Sequence, residues 1–407
     1  MLTSIAKSLR GKVEVPGDKS LSHRALILGA MAEGTTTVCG LGLGSDVLST
    51  KRCLQDLGVI FEGNQIHGKG LRGFLSPKNP LDCGNSGTTL RFLMGLLAGQ
   101  DFEASLIGDA SLSKRPMGRV ADPLRQMGAA IDGDFAPVTI RGANLQAINY
   151  SLPIASAQVK SALLLAALFA RGTMCLSGKI QSRTHTEEML ASFGVNLSVE
   201  SGAIKIAGGQ TLKPCTLKIP GDPSSAAFFA AGAALVRGSS ITFSNVLLTS
   251  GRDAFFKVLK KMGGNVRFTP ELAVSYSPLR GVAITEEQVP FLIDEIPLLA
   301  ILGAFAEGET SVRGASELRF KECDRIAAVC NNLREMGAKI EMFPDGFLIR
   351  GPQKLHGASI DSFGDHRIAM AFAIAALAAE GQSEIKNSEV AAISYPNFFE
   401  TLEQLIC

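Results

Sequence analysis

One pattern recurs along the whole chain and limits what it can fold into. An apolar helical stretch, closed by glycine and followed by a β-branched strand, occurs as "ALILGAMAEGTTTV", "LRFLMGLLAGQDFEASL", "SALLLAALFARGTMCLS", "AAFFAAGAALVRGSSITF", "LLAILGAFAEGETSV" and "IAMAFAIAALAAEGQSEI". Its glycines, Gly34, Gly99, Gly172, Gly238, Gly308 and Gly381, come about 70 residues apart. Between them runs a second pattern, an amphipathic helix ending in Leu/Met/Phe-Gly and then a strand, closed by Gly58, Gly128, Gly194, Gly263 and Gly337. A glycine just past a helical stretch marks a left-handed C-terminal residue, which other side chains resist. Strict alternation of the two patterns is not a chance product of an Ala/Leu-rich chain. Each unit therefore reads strand–helix–strand–helix–strands, and six such units fill the sequence. The alternatives are an α-solenoid, which the short strands between helices disfavour, and a plain doubly wound sheet. At 407 residues the chain exceeds one ordinary core. The expectation is an α/β (α+β) protein of two similar domains with three units each and one cleft between them. The break falls near Pro220-Gly221, in "CTLKIPGDPSS".

Composition narrows the partners. A hydrophobic share of 46% with Trp 0 and Tyr 3 makes the cores aliphatic and alanine-rich. A net charge of +2 leaves no basic stripe for nucleic acid. The 8 cysteines form no C-x-x-C pair and no cluster with the 5 histidines, so reduced thiols and no metal are expected, as in a cytosolic chain. Apolar runs such as "SALLLAALFA" fall short of the ~18 residues of a membrane span. "MLTSIAKSLRGKVEV" lacks the apolar segment of a signal peptide.

The polar residues collect where the apolar helices begin: "PGDKSLSHR", "CGNSGTTLR", "PIASAQVK", "PGDPSS", "LIDEIP" and "FGDHR". The first stretch looks like a phosphate-binding P-loop but fails it, because Gly11 and Gly17 are one residue too far apart and Asp18 separates Gly17 from Lys19. Capping accounts for Ser86, Thr88 and Ser224. It does not account for Lys19, Arg24, Arg91 or Arg367, since cations oppose the dipole at a helix start. Anions bind there. Further cations flank these turns: Lys114-Arg115, Arg183, and the "RFKECDR" stretch with Lys321, Glu322 and Arg325. Read as a helix start, that stretch puts Lys321 and Arg325 on one face; the plainer alternative is a solvated face with a Glu322–Arg325 pair. The expected ligands are small and multiply anionic.

Together "PGDKSLSHRA", "CGNSGTTLR", "GDASLSKRPMGR", "PIASAQVKSALLL", "LIDEIPLLA", "RFKECDR" and "GDHRIAMAFA" resemble the 5-enolpyruvylshikimate-3-phosphate synthase family, in order, from Lys12 to Phe399. The resemblance implies two domains of three βαβαββ units, 17–220 and 221–407 with the N-terminal strand 1–16, since the family's chain crosses its hinge twice. It also implies a cofactor-free reaction in the shikimate pathway to chorismate and the aromatic amino acids. The enolpyruvyl group of phosphoenolpyruvate passes to the 5-hydroxyl of shikimate 3-phosphate, releasing phosphate. Carried over by position, Lys19, Ser20 and Arg24 hold shikimate 3-phosphate, with Lys19 also reaching phosphoenolpyruvate. Ser156 and Ala157 take the 3-phosphate, Gln158 lies between the substrates, and Arg183 adds a cation for the phosphate. Gly87, Arg115, Arg325 and Arg367 match the phosphoenolpyruvate pocket. Asp294 matches the residue handling the 5-hydroxyl, Lys321 its neighbour, and Glu322 the acid that protonates the methylene carbon. Two phosphates and two carboxylates carry on the order of five or six negative charges, which requires several Arg and Lys.

The sequence departs from the family at Ile393, where many members place a lysine, at Glu317 in place of asparagine, and at Phe92 where proline is frequent. Glyphosate blocks the family at the phosphoenolpyruvate site, and Gly87 implies a sensitive enzyme. The rival with the same fold, UDP-N-acetylglucosamine enolpyruvyl transferase, carries Lys-Asn where this chain has Lys19-Ser20, and a loop cysteine near Ala110. No cysteine lies between Cys83 and Cys175. A dehydrogenase fingerprint in "GLGLGS" fails at Ser45. A non-catalytic anion-binding relative is the remaining alternative, against which Asp294 and Glu322 speak. A cytoplasmic monomer acting on small molecules is expected.

Overall fold

In the computed structural model, which describes residues 1–249 and 251–407, the chain forms two compact units. A central unit spans Lys19–Ile219, and a terminal unit joins Met1–Asp18 to Pro220–Cys407. The chain thus crosses between units twice, after Asp18 and after Ile219.

The central unit contains α1 (Lys19–Met31), α2 (Ser45–Asp56), α3 (Gly87–Leu97), α4 (Gly118–Gln126), α5 (Ala157–Ala167) and α6 (His185–Ser192) with three four-stranded sheets. Each sheet has one plan: a strand, a parallel neighbour reached through an apolar helix, and an antiparallel hairpin reached through a second helix. In the second sheet Leu81–Asp82 runs parallel to Glu103–Ile107, which pairs antiparallel with Val138–Arg141. The first sheet takes its parallel strand from the far end of the unit, Thr216–Lys218, with Leu217 opposite Val38. The last strand of the unit therefore completes its first sheet.

The terminal unit holds α7 (Pro223–Leu235), α8 (Ala254–Lys261), α9 (Val289–Leu292), α10 (Ile296–Phe305), α11 (Arg325–Glu335), α12 (His366–Ala378) and α13 (Phe398–Leu405). Its first sheet recruits Arg10–Val13, parallel to Ser240–Phe243. Its last sheet has three strands: Ser359–Asp361 parallel to Gln382–Lys386, with Leu2–Ser4 antiparallel on the far side. Six like units were expected, but this sheet has three strands where the other five have four.

The two helix types divide the work. In α7, α10 and α12 every residue but the last is buried, and the three helices pack on one another; a helix apolar on all sides is a core helix. In the central unit α3 and α5 pack so closely that a Cβ on Gly95 would lie 2.2 Å from the Ala162 carbonyl oxygen, which is why glycine stands there. Amphipathic α8 instead buries Phe255, Phe256, Val258 and Leu259 and leaves Lys257, Lys260 and Lys261 exposed. Since the core helices have no polar face, their N-termini are where polar side chains can collect. No described helix is long and apolar enough to cross a membrane.

Candidate active site

In the central unit the polar cluster grows from the first turns of α1, α3 and α5. Lys19 opens α1, and its Nζ lies 2.8 Å from Oδ2 of Asp46 in the first turn of α2. Arg183 Nη1 donates to Ser20 Oγ at 3.4 Å. Arg24, one turn into α1, is buried and organises four helices. Its Nη1 donates to the Ser20 carbonyl (2.8 Å), Nε to Thr186 Oγ1 (2.6 Å) and Nη2 to Ser161 Oγ (2.7 Å). Its guanidinium carbon sits 4.8 Å from the ring centroid of Phe92, a cation–π contact.

Ser86 caps α3, accepting from the Thr89 amide at 3.1 Å. Next comes Gly87, where a Cβ would fall 2.7 Å from Arg91 Nη1 and 3.4 Å from Arg115 Nη1. Arg91 donates to Gln158 Oε1 (2.7 Å) and to the Pro116 carbonyl (3.2 Å), and Gln158 Nε2 donates to Thr88 Oγ1 (2.8 Å). Arg115 donates to Asn85 Oδ1 (2.7 Å) and Ser111 Oγ (3.1 Å). Ser156 caps α5, accepting from Val159 N at 3.4 Å, and Ala157 is the first residue of that helix. Five cations, Lys19, Arg24, Arg91, Arg115 and Arg183, are thus linked to the starts of these helices, whose dipoles add positive potential. The arrangement suits a polyanion.

Capping explains less than the sequence suggests. Thr88 spends its hydroxyl on Gln158. Ser224 is not a cap either: Asp222 accepts from its amide at 2.8 Å, and the Ser224 hydroxyl bonds Glu295. Pro223 occupies the first helical position, so the cap falls one residue earlier, on Asp222. Beneath the cluster, fully buried His23 shares a hydrogen bond of 2.7 Å with Thr50, which continues through Thr89 to Ser86. Burial, and then the charges of Lys19 and Arg24, hold its pKa well below the usual 6.5, so it is neutral.

The terminal unit centres on Arg325, the first residue of α11. Its Nε donates to Asp365 Oδ2 (2.7 Å), its Nη2 to Glu322 Oε2 (2.6 Å), and its Nη1 to Asp294 Oδ1 (3.5 Å). Burial works against its charge, but these three carboxylates push its pKa above the ordinary range. Asp294 also meets Arg367 Nε at 3.3 Å. Asp365 caps α12, accepting from the Arg367 amide at 2.8 Å. Burial lowers the pKa of Lys321 while Asp294 resists that shift. Three cations (Lys321, Arg325, Arg367) here stand with three carboxylates (Asp294, Glu322, Asp365), a balanced set unlike the cation-rich one of the central unit.

Lys321 and Arg325 do not share a helix face. A 3-10 turn ends at Phe320, Lys321 is extended, and Asp324 caps α11 by accepting from Ala327 N at 3.0 Å. The Glu322–Arg325 pair forms nevertheless, from a turn outside the helix. Ile393 closes a 3-10 turn spanning Ser388–Ile393 as an aliphatic side chain.

The structure groups Lys19, Ser20, Arg24, Gly87, Arg115, Ser156, Ala157, Gln158 and Arg183 in the central unit. It groups Asp294, Lys321, Glu322, Arg325 and Arg367 in the terminal one. Sequence reasoning missed Asp46, which lies in the "GLGLGSD" stretch, and Asp365, whose Gly-Asp context reads as a cap. It noticed Arg91 only as a cation at a helix start. Among the described residues no group of three or more His, Cys, Asp or Glu is placed to hold a metal ion.

Comparison with known proteins is consistent across the whole chain. The profile of the family described as EPSP synthase (3-phosphoshikimate 1-carboxyvinyltransferase) matches residues 3–402. The chain is 46% identical over 417 residues to the 3-phosphoshikimate 1-carboxyvinyltransferase of Bacillus cytotoxicus, covering 98% of each sequence. It is similar to the solved EPSP synthase from Acinetobacter baumannii, with a TM-score of 0.85, 41% identity, and coverage of 99% of this chain and 97% of that one. The enolpyruvyl transferase NikO from Streptomyces tendae shares the fold, with a TM-score of 0.82 at 18% identity over 99% of this chain and 96% of that one.

Proposed function

Because this chain belongs to the EPSP synthase family, we propose that it transfers the enolpyruvyl group of phosphoenolpyruvate to the 5-hydroxyl of shikimate 3-phosphate, releasing phosphate. The observation that carries this reading is the division of charge between two polar clusters. The central unit offers cations at helix N-termini, as a phosphorylated substrate requires. The terminal unit offers carboxylates held against Arg and Lys, as proton transfer requires.

In this proposal Lys19, Ser20, Arg183, Ser156, Ala157 and Gln158 bind shikimate 3-phosphate. Arg24 shapes that site by fixing Ser20, Ser161 and Thr186. Gly87, Arg115, Arg325 and Arg367, with Lys19, bind phosphoenolpyruvate. Asp294 takes the proton of the 5-hydroxyl as its oxygen adds to C2, and Glu322 delivers a proton to C3. Lys321 lies beside both carboxylates. The tetrahedral adduct then expels phosphate as C3 loses a proton, so the protons balance. Without substrate Glu322 is bound to Arg325 at 2.6 Å. A substrate carboxylate that takes Arg325 releases Glu322 for that role. The cations stabilise the charge that builds on the adduct.

The same reading makes the protein a cytoplasmic monomer without a bound cofactor, which light scattering on the purified chain checks for the oligomeric state. The deciding experiment is phosphate release from phosphoenolpyruvate with shikimate 3-phosphate, using UDP-N-acetylglucosamine as the control acceptor. Release with the control acceptor alone would assign the rival activity, and none with either would leave an anion-binding relative.

A further inference from the structure

The tripeptide Pro-Gly-Asp occurs at both places where the chain changes units, as Pro16-Gly17-Asp18 and as Pro220-Gly221-Asp222. The two copies pair. Gly17 and Gly221 form an antiparallel bridge, Asp18 N donates to the Pro220 carbonyl at 2.8 Å, and Asp222 N donates to the Pro16 carbonyl at 2.8 Å. Two side chains hold this pair. Asn245 donates through Nδ2 to the Val15 carbonyl (2.6 Å) and accepts from Val15 N at Oδ1 (3.2 Å), while its own carbonyl accepts from Gly221 N (2.8 Å). A Cβ on Gly221 would lie 2.5 Å from Asn245 Oδ1, so the close approach needs glycine. Arg252 spans both aspartates: Nη2 lies 2.7 Å from Asp18 Oδ2 and 2.5 Å from Asp222 Oδ1, and Nε donates to Asp18 at 3.1 Å. Arg252, Asp18 and Asp222 are 7%, 1% and 5% exposed. A planar guanidinium can bridge two carboxylates in this way, whereas a lysine ammonium presents a single point charge.

We propose that Arg252 and Asn245 are positioning residues for the reaction. They lock the two Pro-Gly-Asp segments into one connector, so that the backbone leading directly from Asp18 into Lys19 and Ser20 starts from a fixed point. The inference rests on the substrate-binding roles assigned above to Lys19 and Ser20. Misplacement of such groups by ~1 Å can cost about 100-fold in rate.

The test uses the full chain with Arg252→Gln, Arg252→Lys and Asn245→Ala. Amide hydrogen exchange at Asp18 and Asp222 is measured without substrate, beside the thermal midpoint, kcat and the KM for shikimate 3-phosphate. Arg252→Gln and Asn245→Ala should speed exchange at both segments together while the amides of α12 stay protected. The KM for shikimate 3-phosphate should rise roughly tenfold, and Arg252→Lys should recover only part of the loss. Faster exchange at one segment alone, or unchanged kinetic constants in a folded variant, would overturn the proposal. If Arg252→Gln does not fold, Asn245→Ala decides by the same two readouts. Wild-type protein inert toward shikimate 3-phosphate would instead count against the proposed function, because the exchange measurement reads the connector without substrate.

Discussion

Gly87→Ala adds one methyl group at the first residue of α3. The backbone there has no left-handed torsion and is helical, so alanine is compatible with it. The methyl would, however, fall 2.7 Å from Arg91 Nη1, a separation that real Cβ atoms do not show. Reaching an ordinary contact of about 3.4 Å moves that nitrogen by roughly 0.7 Å, which stretches its 2.7 Å bond to Gln158 past a useful hydrogen-bond length. Arg115 Nη1, at 3.4 Å, is just tolerated. That bond lies within the protein, so its loss falls on the fold, by at most about 1.5–3 kcal/mol, and affinity suffers only through the displaced pocket wall. Glyphosate is slightly longer than phosphoenolpyruvate, so it should lose more at a pocket wall that has moved inward. Wild-type protein should be inhibited by glyphosate in competition with phosphoenolpyruvate. In the variant the inhibition constant should rise at least about tenfold more than the KM for phosphoenolpyruvate. Equal losses for both ligands, or wild-type turnover that persists at millimolar glyphosate, would refute the steric argument.

Three further outcomes are expected. Lys19→Ala should melt somewhat earlier, since it strips buried Asp46 of its partner at 2.8 Å, and bind shikimate 3-phosphate more weakly by about 1.5–3 kcal/mol. Arg24→Ala should melt earlier still, because it strips Thr186, Ser161 and the Ser20 carbonyl of a buried partner; calorimetry on both variants separates the two, and identical midpoints would remove the organising role of Arg24. Asp294→Ala and Glu322→Ala should retain substrate binding while kcat falls steeply; turnover preserved at saturation in either variant would disprove its role in proton transfer. His23 has a depressed pKa in the folded state, so below about pH 6.5 the unfolded chain binds its proton first and stability falls with pH, by up to about 1.4 kcal/mol per unit until the folded form also titrates. His23→Asn should therefore flatten the acid limb of the stability curve from urea unfolding below about pH 6.5, and parallel curves for the two proteins would exclude a buried neutral histidine.

The polar clusters show where sequence reasoning stops. Lys19, Arg24 and Arg367 stand out because a cation at a helix start is unusual, and that signal is local, whereas the roles of Asp294 and Glu322 come through the family resemblance. The partners of these groups give no such signal. Asp46 pairs with Lys19 from another helix, and Asp365 pairs with Arg325 across 40 residues. Each reads in sequence as an ordinary first-turn or capping acid. Thr88 failed as a cap for the same reason: the hydroxyl had a better partner in Gln158, on α5, which no pattern along α3 reveals. Lys321 and Arg325 have helical spacing, but the Asp324 cap starts α11 after Lys321, and the expected shared face does not form.

What the sequence determined by itself is the repeat. Apolar helices, their glycine ends and the strands that follow are dictated by neighbours a few residues away, so six units and an aliphatic core are readable without coordinates. Only the tertiary structure decided the closures: Thr216–Lys218 beside Thr35–Cys39, Arg10–Val13 beside Ser240–Phe243, and the pairing of the two Pro-Gly-Asp segments. A strand carries no label for a partner some 200 residues distant. That choice is made when core helices that are apolar on every side pack together, and the edges left unpaired then meet whichever strand the chain brings back to them.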